Sequence, residues 1–295
     1  MDWKNKRATA ILEQALLEDR ATADATTALT IDPDLPASAS ILAKEDCVLA
    51  GLGLIPRVFQ VYAQLDAGKL ARRFEVISHP EIFDGVHLHK GQVAAVIRHN
   101  ARTILSCERV ILNLLQRMCG IATLTRQYVD AVAGTGAVIL DTRKTAPGLR
   151  LLDKYAVTCG GGTNHRMDLA DGVLIKNNHI ALGGGLSKVL EHAFARRKPG
   201  QKIQVEVRTP QELQQALDGG ADSLLLDNMT PAEVRDAVKL ARKHTAKIPL
   251  EASGGMTLDT VRAYAKAGVD FISVGALTHS VPAVDLSLRI TADIY

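Results

Sequence analysis

From about residue 137 onward, short apolar runs alternate with stretches of helical character, and this rhythm limits the folds open to the chain. The six runs occupy residues 138–140, 173–175, 203–205, 224–226, 248–250 and 271–274. Alternation of this kind is typical of βα units, whose strands assemble into a parallel sheet or barrel. Each run is followed at once by polar residues or glycine. Because the sites of parallel barrels lie at the carboxyl ends of the strands, we expect these residues to meet at one rim.

The first third of the chain mixes element types. Four elements are predicted there: helices near residues 8–17 and 55–67, and short strands at 41–50 and 85–98. Residues 22–40 are rich in Thr, Asp, Pro and Ser, which favours an irregular segment. A further helix is predicted at 108–118, with Arg109 on a different side from its apolar face. That face consists of Ile111, Leu114, Leu115 and Met118.

Composition excludes several classes of function. Of the 295 residues, 47% are hydrophobic, yet no apolar run approaches the ~20 residues of a membrane-spanning helix. A net charge of +3 and an aromatic content of 4% argue against nucleic acid as a partner. The N-terminal residues lack the apolar region of a signal peptide. The cysteines show neither metal-binding nor disulfide spacing, so we expect buried thiols in a reducing cytoplasm. They are Cys47, Cys107, Cys119 and Cys159.

Positive side chains crowd a glycine-rich, loop-like stretch between residues 141 and 179. They are Arg143, Lys144, Arg150, Lys154, His165, Arg166 and Lys176. Fixed cations beside closely approaching backbone suit a small, multiply charged anion, because they replace its lost hydration. The alternative is a solvated basic face, but Lys and Arg are unusual at the ends of buried strands. His165 is either part of the pocket or a hydrogen-bonding scaffold.

A sequence echo aligns two carboxylates. Residues 206–213 match residues 227–234 position for position, and each segment has a Thr suited to a helix N-cap, a Pro at the first helical position and a Glu that completes a capping box. Glu206 and Asp227 therefore occupy equivalent positions just beyond their strands. We interpret them as functional groups of the rim, the alternative being that both merely cap loops.

Glycines follow the last two predicted strands, at residues 252–256 and 274–276. There, backbone N–H groups and a helix N-terminus can hold a phosphate, and barrels often bind phosphate at their last two strand ends. His279 could assist or simply occupy the following turn. His87 and His89 alternate like ligands on one strand face, but without a third ligand nearby exposed strand histidines are favoured over a metal site.

Together these residues resemble the quinolinate phosphoribosyltransferases, also called carboxylating nicotinate-nucleotide pyrophosphorylases. The resembling segments are 108–113, 120–123, 141–145, 147–150, 154–157, 160–166, 174–176, 178–179, 206–207, 226–228, 251–255 and 274–275. Cys119 and Ala146 depart from residues that more often carry a hydroxyl group, and neither is an expected charged contact. The first 80 residues match only loosely.

The resemblance implies an α/β protein with an incomplete, roughly six-stranded parallel α/β barrel at residues 119–279. It also implies an N-terminal α/β sandwich domain at 1–118, to which the tail 280–295 returns. The implied reaction joins quinolinate to phosphoribosyl pyrophosphate with Mg²⁺, giving nicotinate mononucleotide, pyrophosphate and CO₂ in NAD biosynthesis. A homodimer with shared active sites, or a hexamer built from such dimers, is implied as well, with Arg109 reaching the neighbour's pocket.

The resemblance also implies roles for individual residues. Glu206 and Asp227 would stabilise the ribosyl carbon while holding ribose hydroxyls and Mg²⁺, directly or through water, and Lys144 completes the catalytic set. Lys144 and Lys176 would also face the diphosphate. Quinolinate would lie on Arg109, Arg143, His165, Arg166 and Lys176. The other expected substrate contacts are Thr142, Ser253, Gly254, Gly255, Val274, Gly275, Ala276 and His279.

Several other functions share parts of this pattern. A nicotinate or other phosphoribosyltransferase of the same fold would not decarboxylate, and the extra cations for a second carboxylate argue against it. A molybdate-uptake accessory protein resembling this family would release no pyrophosphate. A phosphate-sugar aldolase or synthase barrel would use a Schiff-base lysine, for which Lys176 is the candidate. A binding module without catalysis is disfavoured, because two aligned carboxylates add nothing to anion affinity.

Overall fold

The structure is a computed structural model that describes residues 1–66, 73–244 and 248–292, with the backbone alone for residues 291 and 292. The chain divides into two compact units. Unit 1 contains Met1–Arg126, Thr145–Gly161 and the segment from Val281 onward. Unit 2 contains Gln127–Lys144 and Gly162–Ser280. Residues 67 and 293–295, at the ends of a predicted helix and of the predicted tail, lie outside the described residues.

Unit 1 contains a four-stranded antiparallel sheet and several helices. Its strands are β1 (Pro36–Ala43), β2 (Cys47–Val48), β3 (Glu75–Ile77), β4 (His87–Leu88), β5 (Val93–Asn100) and β12 (Leu286–Ala292). Its helices are α1 (Lys6–Glu18), a 3₁₀ turn (Ala21–Ala23), α2 (Ala25–Thr30), α3 (Leu54–Leu65), α5 (Arg150–Cys159) and most of α4 (Ala101–Ala131). The sheet order is β12-β1-β5-β3, and β2 pairs with β4 separately. The C-terminal strand therefore pairs with the first strand of unit 1.

The prediction of an irregular segment at residues 22–40 is wrong. That stretch contains α2 and the start of β1, which is the central strand between β12 and β5. Along β1 the buried positions alternate, and they are filled largely by alanine. Small residues give a weak period-two signal in the sequence, because alanine and serine differ little in polarity. The predicted strand at 85–98 is two strands separated by a turn at Gly91, whose φ is +90°.

Helix α4 is much longer than the predicted helix at 108–118. Its predicted apolar face is confirmed, since Ile111, Leu115 and Met118 are at most 1% exposed. Helix α5 is held within unit 1 by Asp153, a buried carboxylate that accepts from Nε and Nη2 of Arg117 on α4 at 2.8 and 2.7 Å. The predicted domains placed residues 145–161 in the barrel, whereas this charge-assisted pair joins them to unit 1.

Unit 2 is the six-stranded, incomplete parallel barrel that the sequence predicts. Its strands are β6 (Val138–Leu140), β7 (Val173–Ile175), β8 (Ile203–Val207), β9 (Ser223–Asp227), β10 (Leu250–Ser253) and β11 (Phe271–Ser273). Its helices are α6 (Asn177–Leu182), α7 (Leu186–Arg196), α8 (Pro210–Asp218), α9 (Pro231–His244), α10 (Leu258–Lys266) and α11 (Ala276–His279). The order β6-β11-β10-β9-β8-β7 leaves β6 and β7 as edge strands.

The predicted helix starts in unit 2 are confirmed. Thr209 caps α8, its hydroxyl accepting from the backbone N–H of Glu212, and Pro210 is the first helical residue. Thr230 and Glu233 make reciprocal capping-box contacts at the start of α9, whereas at α8 the Glu212 carboxylate accepts from the N–H of Arg208 instead of that of Thr209. These caps fix where each loop ends, and so they fix the residues at the preceding strand ends. Among the helices that the structure describes, none is long and apolar enough to cross a membrane.

Candidate active site

A cavity of about 530 Å³ lies at the carboxyl ends of the unit 2 strands. Its lining contains every residue predicted to contact substrate or metal except Arg109 and Val274. Arg150 and Lys154 of the basic stretch do not line it and belong to unit 1. The predicted residues that line it are Thr142, Arg143, Lys144, His165, Arg166, Lys176, Glu206, Asp227, Ser253, Gly254, Gly255, Gly275, Ala276 and His279. Strand ends that are far apart in sequence therefore deliver their polar residues to one rim, as expected for a parallel barrel.

Four cationic residues of the lining, named here the cationic wall, are Arg143, Lys144, Arg166 and Lys176. Burial lowers the pKa of the Arg166 guanidinium, and the positive charge of Arg143 lowers it further. Arginine stays protonated at neutral pH all the same, so like charges are held close together. The backbone carbonyl of Gly172 fixes the Arg166 guanidinium at 2.9 Å from Nη1. Such a wall is stabilised when an anion with several charges binds it.

A second set of lining residues, named here the glycine wall, consists of Gly254, Gly255 and Gly275. The two sets adjoin, since a Cβ on Gly275 would lie 3.2 Å from Lys144 Cδ. A Cβ on Gly254, whose φ is +110°, would lie 2.3 Å from Asn228 Oδ1. A Cβ on Gly275 would lie 3.1 Å from the His279 ring. Within the described residues, the backbone N–H groups of these three glycines donate to no protein group. They form a row of donors suited to phosphate oxygens.

The two echoed carboxylates line the same cavity. Glu206 is in β8 and Asp227 ends β9, so both belong to their strands instead of following them as predicted. Glu206 accepts from Asn177 Nδ2 at 3.0 Å and lies 3.9 Å from Lys176 Nζ. The Arg208 guanidinium lies 2.9 Å from Asp227 Oδ2. Neither carboxylate caps its own helix, because Glu212 and Glu233 already do so. The described hydrogen bonds of Glu206 and Asp227 go to side chains and not to loop N–H groups, which favours the functional interpretation.

Sequence reasoning missed Glu251, although it follows an apolar run as Glu206 and Asp227 do. Its buried carboxylate accepts from Gln204 Nε2 at 2.8 Å and from Ser273 Oγ, and lies 3.3 Å from His165 Nε2. Burial alone would raise the pKa of the Glu251 carboxyl, but the contacts with His165, Ser273 and Gln204 outweigh it and hold the pKa below its usual value. Glu251 is therefore a buried, charged acceptor at the base of the cavity.

His165 lies within a hydrogen-bond network. Its Nδ1 accepts from the backbone N–H of Arg166 at 2.7 Å, which makes Nε2 the protonated nitrogen that points at Glu251. Its own N–H donates to Asp141 Oδ1 at 2.8 Å, and that carboxylate is buried. Of the two interpretations made from the sequence, this geometry favours the hydrogen-bonding scaffold.

Two predicted residues are elsewhere. The Val274 side chain is buried in the core, and its N–H donates to Leu140 O at 2.9 Å, so it is engaged by the barrel itself. Arg109 belongs to unit 1, on α4, with its side chain 67% exposed and Nη2 3.6 Å from Glu108. His87 and His89 are exposed histidines of the β4 region, as favoured from the sequence.

The donor set suits Mg²⁺ more than a transition metal. In the part of the chain that the structure describes, no group of three or more His, Cys, Asp or Glu side chains could enclose a metal ion. Two carboxylates on neighbouring strands remain, Glu206 and Asp227. Mg²⁺ keeps several waters and is commonly held by one or two carboxylates together with substrate phosphates, so the pair fits it.

These features define a class of protein: a barrel enzyme for anionic, phosphate-bearing substrates. Comparison with known proteins gives the family. The model of the quinolinate phosphoribosyl transferase C-terminal domain matches residues 121–289, and that of the N-terminal domain matches residues 24–119. The chain belongs to the quinolinate phosphoribosyltransferase family.

Similar curated proteins cover nearly the whole chain. A probable carboxylating nicotinate-nucleotide pyrophosphorylase of Bacillus subtilis is 41% identical over 281 residues, 95% of this chain and 92% of the relative. A chloroplastic carboxylating nicotinate-nucleotide pyrophosphorylase of Oryza sativa is 40% identical over 304 residues, 97% of this chain and 78% of the relative.

Solved structures agree in fold. NadC from Streptococcus pyogenes superposes with a TM-score of 0.86 at 36% identity, covering 95% of both chains. The nicotinate-nucleotide pyrophosphorylase of Ehrlichia chaffeensis superposes with a TM-score of 0.85 at 35% identity, covering 96% of this chain and 98% of the other. Human nicotinic acid phosphoribosyltransferase, at 11% identity and a TM-score of 0.58, shares the fold alone.

Proposed function

We propose that this protein transfers the phosphoribosyl group of phosphoribosyl pyrophosphate to the ring nitrogen of quinolinate. Pyrophosphate leaves in this transfer, and decarboxylation of the adduct then gives nicotinate mononucleotide and CO₂, in NAD biosynthesis. The observation that carries this proposal is the combination, in one cavity of about 530 Å³, of a cationic wall, a glycine wall and two carboxylates. Membership of the family supports it, since similar proteins are named for this activity.

The cationic wall would bind quinolinate, which carries two carboxylates. Arg166 and Arg143 offer planar guanidinium groups that suit carboxylates, and Lys144 and Lys176 add point charges. We assign His165 to positioning Arg166 and Glu251, because its ring nitrogens are engaged in the hydrogen-bond network. Any contact between His165 and the substrate would be through Nε2, because Nδ1 accepts from the N–H of Arg166.

The glycine wall would hold the 5-phosphate of the sugar. The N–H groups of Gly254, Gly255 and Gly275 can approach phosphate oxygens because no side chain intervenes. Thr142, Ser253, Ala276 and His279 line the same cavity and complete the proposed contacts. The Thr142 hydroxyl also accepts from the N–H of Lys144 at 3.0 Å, which orders the turn that carries the lysine.

Glu206 and Asp227 would act on the ribosyl group. As pyrophosphate leaves, the ribosyl carbon gains positive charge, and two nearby carboxylates lower the energy of that state. Lys144 would face the departing diphosphate. The quinolinate nitrogen attacks the ribosyl carbon without any covalent bond to the protein. The new pyridinium accepts the electron pair released with CO₂, and the ring carbon then takes a proton from water.

Glu206 and Asp227 would also hold Mg²⁺, directly or through water. The ion would neutralise the diphosphate and so make it a better leaving group. The two carboxylates and the diphosphate oxygens together supply the hard oxygen ligands that it prefers. The roles of the protein's own cations are unchanged by this assignment.

We further propose a homodimer in which Arg109 of one subunit reaches the cavity of the other. Its exposed guanidinium on α4 supports this, since a conspicuous cation is available at the surface of unit 1. Mixing an Arg109→Ala subunit with an Asp227→Ala subunit tests it. Recovery of activity in the mixture is expected from the one intact shared site; a mixture as inactive as its parents contradicts sharing.

The substrate pair separates this function from its rivals. Purified protein supplied with phosphoribosyl pyrophosphate and Mg²⁺ should convert quinolinate with equimolar release of CO₂ and pyrophosphate. Turnover of nicotinate without CO₂ would instead identify a nicotinate phosphoribosyltransferase. Borohydride trapping of a carbonyl substrate on Lys176 would identify an aldolase-type barrel. Glu206→Ala or Asp227→Ala should each lower kcat by about 10²–10³-fold, as for loss of one group that stabilises transition-state charge.

A further inference from the structure

Arg208 contacts both proposed catalytic carboxylates, although sequence reasoning gave it no role. It immediately follows β8. Its Nε and Nη2 lie 3.0 and 2.9 Å from Asp227 Oδ2, and Nη2 lies 3.8 Å from Glu206 Oε1. The guanidinium therefore bridges the ends of β8 and β9, through two carboxylates that both line the cavity.

The two carboxylates differ in how much they depend on Arg208. Glu206 also has Asn177 and Lys176 beside it. For Asp227, the described part of the chain records ion pairs and side-chain hydrogen bonds with Arg208 alone. Arg208 thus supplies the positive charge that balances Asp227 in this structure.

The backbone and the side chain of Arg208 are held differently. Its N–H donates to Glu212 Oε2 at 2.7 Å, as part of the cap of α8. Its side chain is 53% exposed, whereas those of Glu206 and Asp227 are 10% and 14% exposed. The guanidinium can therefore leave the carboxylates without disturbing the capped helix.

A guanidinium and a divalent cation compete for the same oxygens. Two poorly exposed carboxylates on neighbouring strands repel each other unless a cation lies between them. Arg208 relieves that repulsion, but a divalent cation at Asp227 would be repelled by a guanidinium 3 Å from the same atom. Both cannot occupy Asp227 Oδ2 together.

We propose that Arg208 is the resident counter-ion of the Glu206–Asp227 pair, and that a divalent cation binds this pair by displacing the guanidinium from Asp227. Arg208 is on this view a positioning residue that lowers the affinity of the substrate-free site for the cation. The role of the cation rests on the function proposed above; the ion pair itself rests on the distances.

Mn²⁺ titration of the purified full-length protein without substrates tests the proposal, by calorimetry or by the electron paramagnetic resonance of the free ion. We expect Arg208→Gln to bind Mn²⁺ about three- to fivefold more tightly than the unaltered chain, the size of one partly exposed charge pair. Arg208→Lys keeps the charge but not the fork of donors, so a smaller gain of about twofold is expected. Arg235→Gln, which removes an exposed arginine of α9, is the matched control and should change affinity little.

Equal Mn²⁺ affinity in the unaltered chain and Arg208→Gln would overturn the proposal, as would absence of Mn²⁺ binding from every variant. Adding Asp227→Asn to Arg208→Gln should abolish the gain. A melting curve checks that each variant is folded, and Arg208→Lys keeps the test available if the glutamine variant is not. Product formation from quinolinate is measured separately, so failure of the proposed function and failure of the counter-ion role are distinguishable.

Discussion

The cationic wall and the glycine wall face the same cavity, but they recognise anions by opposite means. On the cationic wall, long side chains supply formal charges, and burial together with the nearby charge of Arg143 lowers the pKa of Arg166. On the glycine wall, the absence of side chains exposes backbone N–H groups, whose partial charges are fixed by the fold. The cationic wall therefore depends on charged side chains, and the glycine wall depends on backbone N–H groups that no side chain covers.

This difference determines how each wall can be damaged. A cation can be removed without moving the backbone, so its loss should affect the ligand bound there and little else. A glycine can only be replaced by adding atoms, so its loss should alter both the donor row and the local conformation. Kinetics measured for each substrate separately can therefore tell the two walls apart.

The largest effect is expected from Arg166→Ala on the cationic wall. If the wall binds quinolinate, its KM for quinolinate should rise about 100-fold, since a partly buried charge would be left without its partner. Its KM for phosphoribosyl pyrophosphate should stay within about twofold, because the glycine wall is untouched. Steady-state kinetics with each substrate varied in turn measures both.

Two comparisons sharpen that result. Arg166→Lys keeps the positive charge but loses the planar guanidinium. Its KM for quinolinate should lie between those of the unaltered chain and Arg166→Ala, about tenfold above the unaltered value. Arg196→Ala removes an exposed cation from α7 in the same unit and should leave both KM values unchanged. Equal losses for both substrates in Arg166→Ala would mean that the two walls do not divide the substrates.

Residues of the site could be predicted from the sequence where a local pattern marks them. Lysines and arginines beside glycines, and glycines after apolar runs, are local patterns, so most members of both walls were predicted. The carboxylates Glu206 and Asp227 were found through a local repeat that marks two helix starts. In each case the signal lies within a few residues of the functional group.

The rest depends on contacts that no local pattern encodes. Gln204 and Glu251 meet across the barrel interior although β9 lies between their strands in the sheet. Such layers arise because alternate strands of a parallel barrel point residues to the same level. The ion pair between Arg208 and Asp227 likewise depends on the pairing of β8 with β9. The alanine-rich strand β1 was missed for another reason, its weak hydrophobic contrast.

A smaller kinetic effect is expected from Gly254→Ala on the glycine wall. A Cβ there would clash with Asn228 and require an L-residue at a φ of +110°. The KM for phosphoribosyl pyrophosphate should rise about tenfold, in keeping with 1–2 kcal/mol of backbone strain and lost contacts. The KM for quinolinate should change little.

Gly185→Ala separates the clash from the backbone strain. Gly185 has a similar φ of +107°, but a Cβ on it would meet nothing within 4 Å. It should lower the melting temperature without altering either KM. If Gly185→Ala raises the KM for phosphoribosyl pyrophosphate as much as Gly254→Ala does, the glycine wall has no special part in binding.

The smallest effect is expected at Glu251, and it concerns the free energy of unfolding instead of turnover. Its pKa in the folded protein lies below the usual value, so its contribution to the free energy of unfolding is present above the unfolded pKa near 4.5 and is lost as the pH falls through the folded pKa. Glu251→Gln removes the charge that His165 Nε2 faces, and at pH 7 it should cost about 1–3 kcal/mol.

That cost should shrink below about pH 4.5, because the unaltered carboxyl then becomes protonated and loses the same advantage. Urea unfolding at pH 7, 5, 4 and 3.5 measures the difference between the two proteins, with Glu191→Gln, an exposed position on α7, as the control that should differ little at any pH. A difference that is constant with pH, or that widens in acid, would mean that Glu251 is buried as a neutral acid. His165 Nε2 would then face a neutral acid instead of a carboxylate, while its contact with the N–H of Arg166 through Nδ1 would be unaffected.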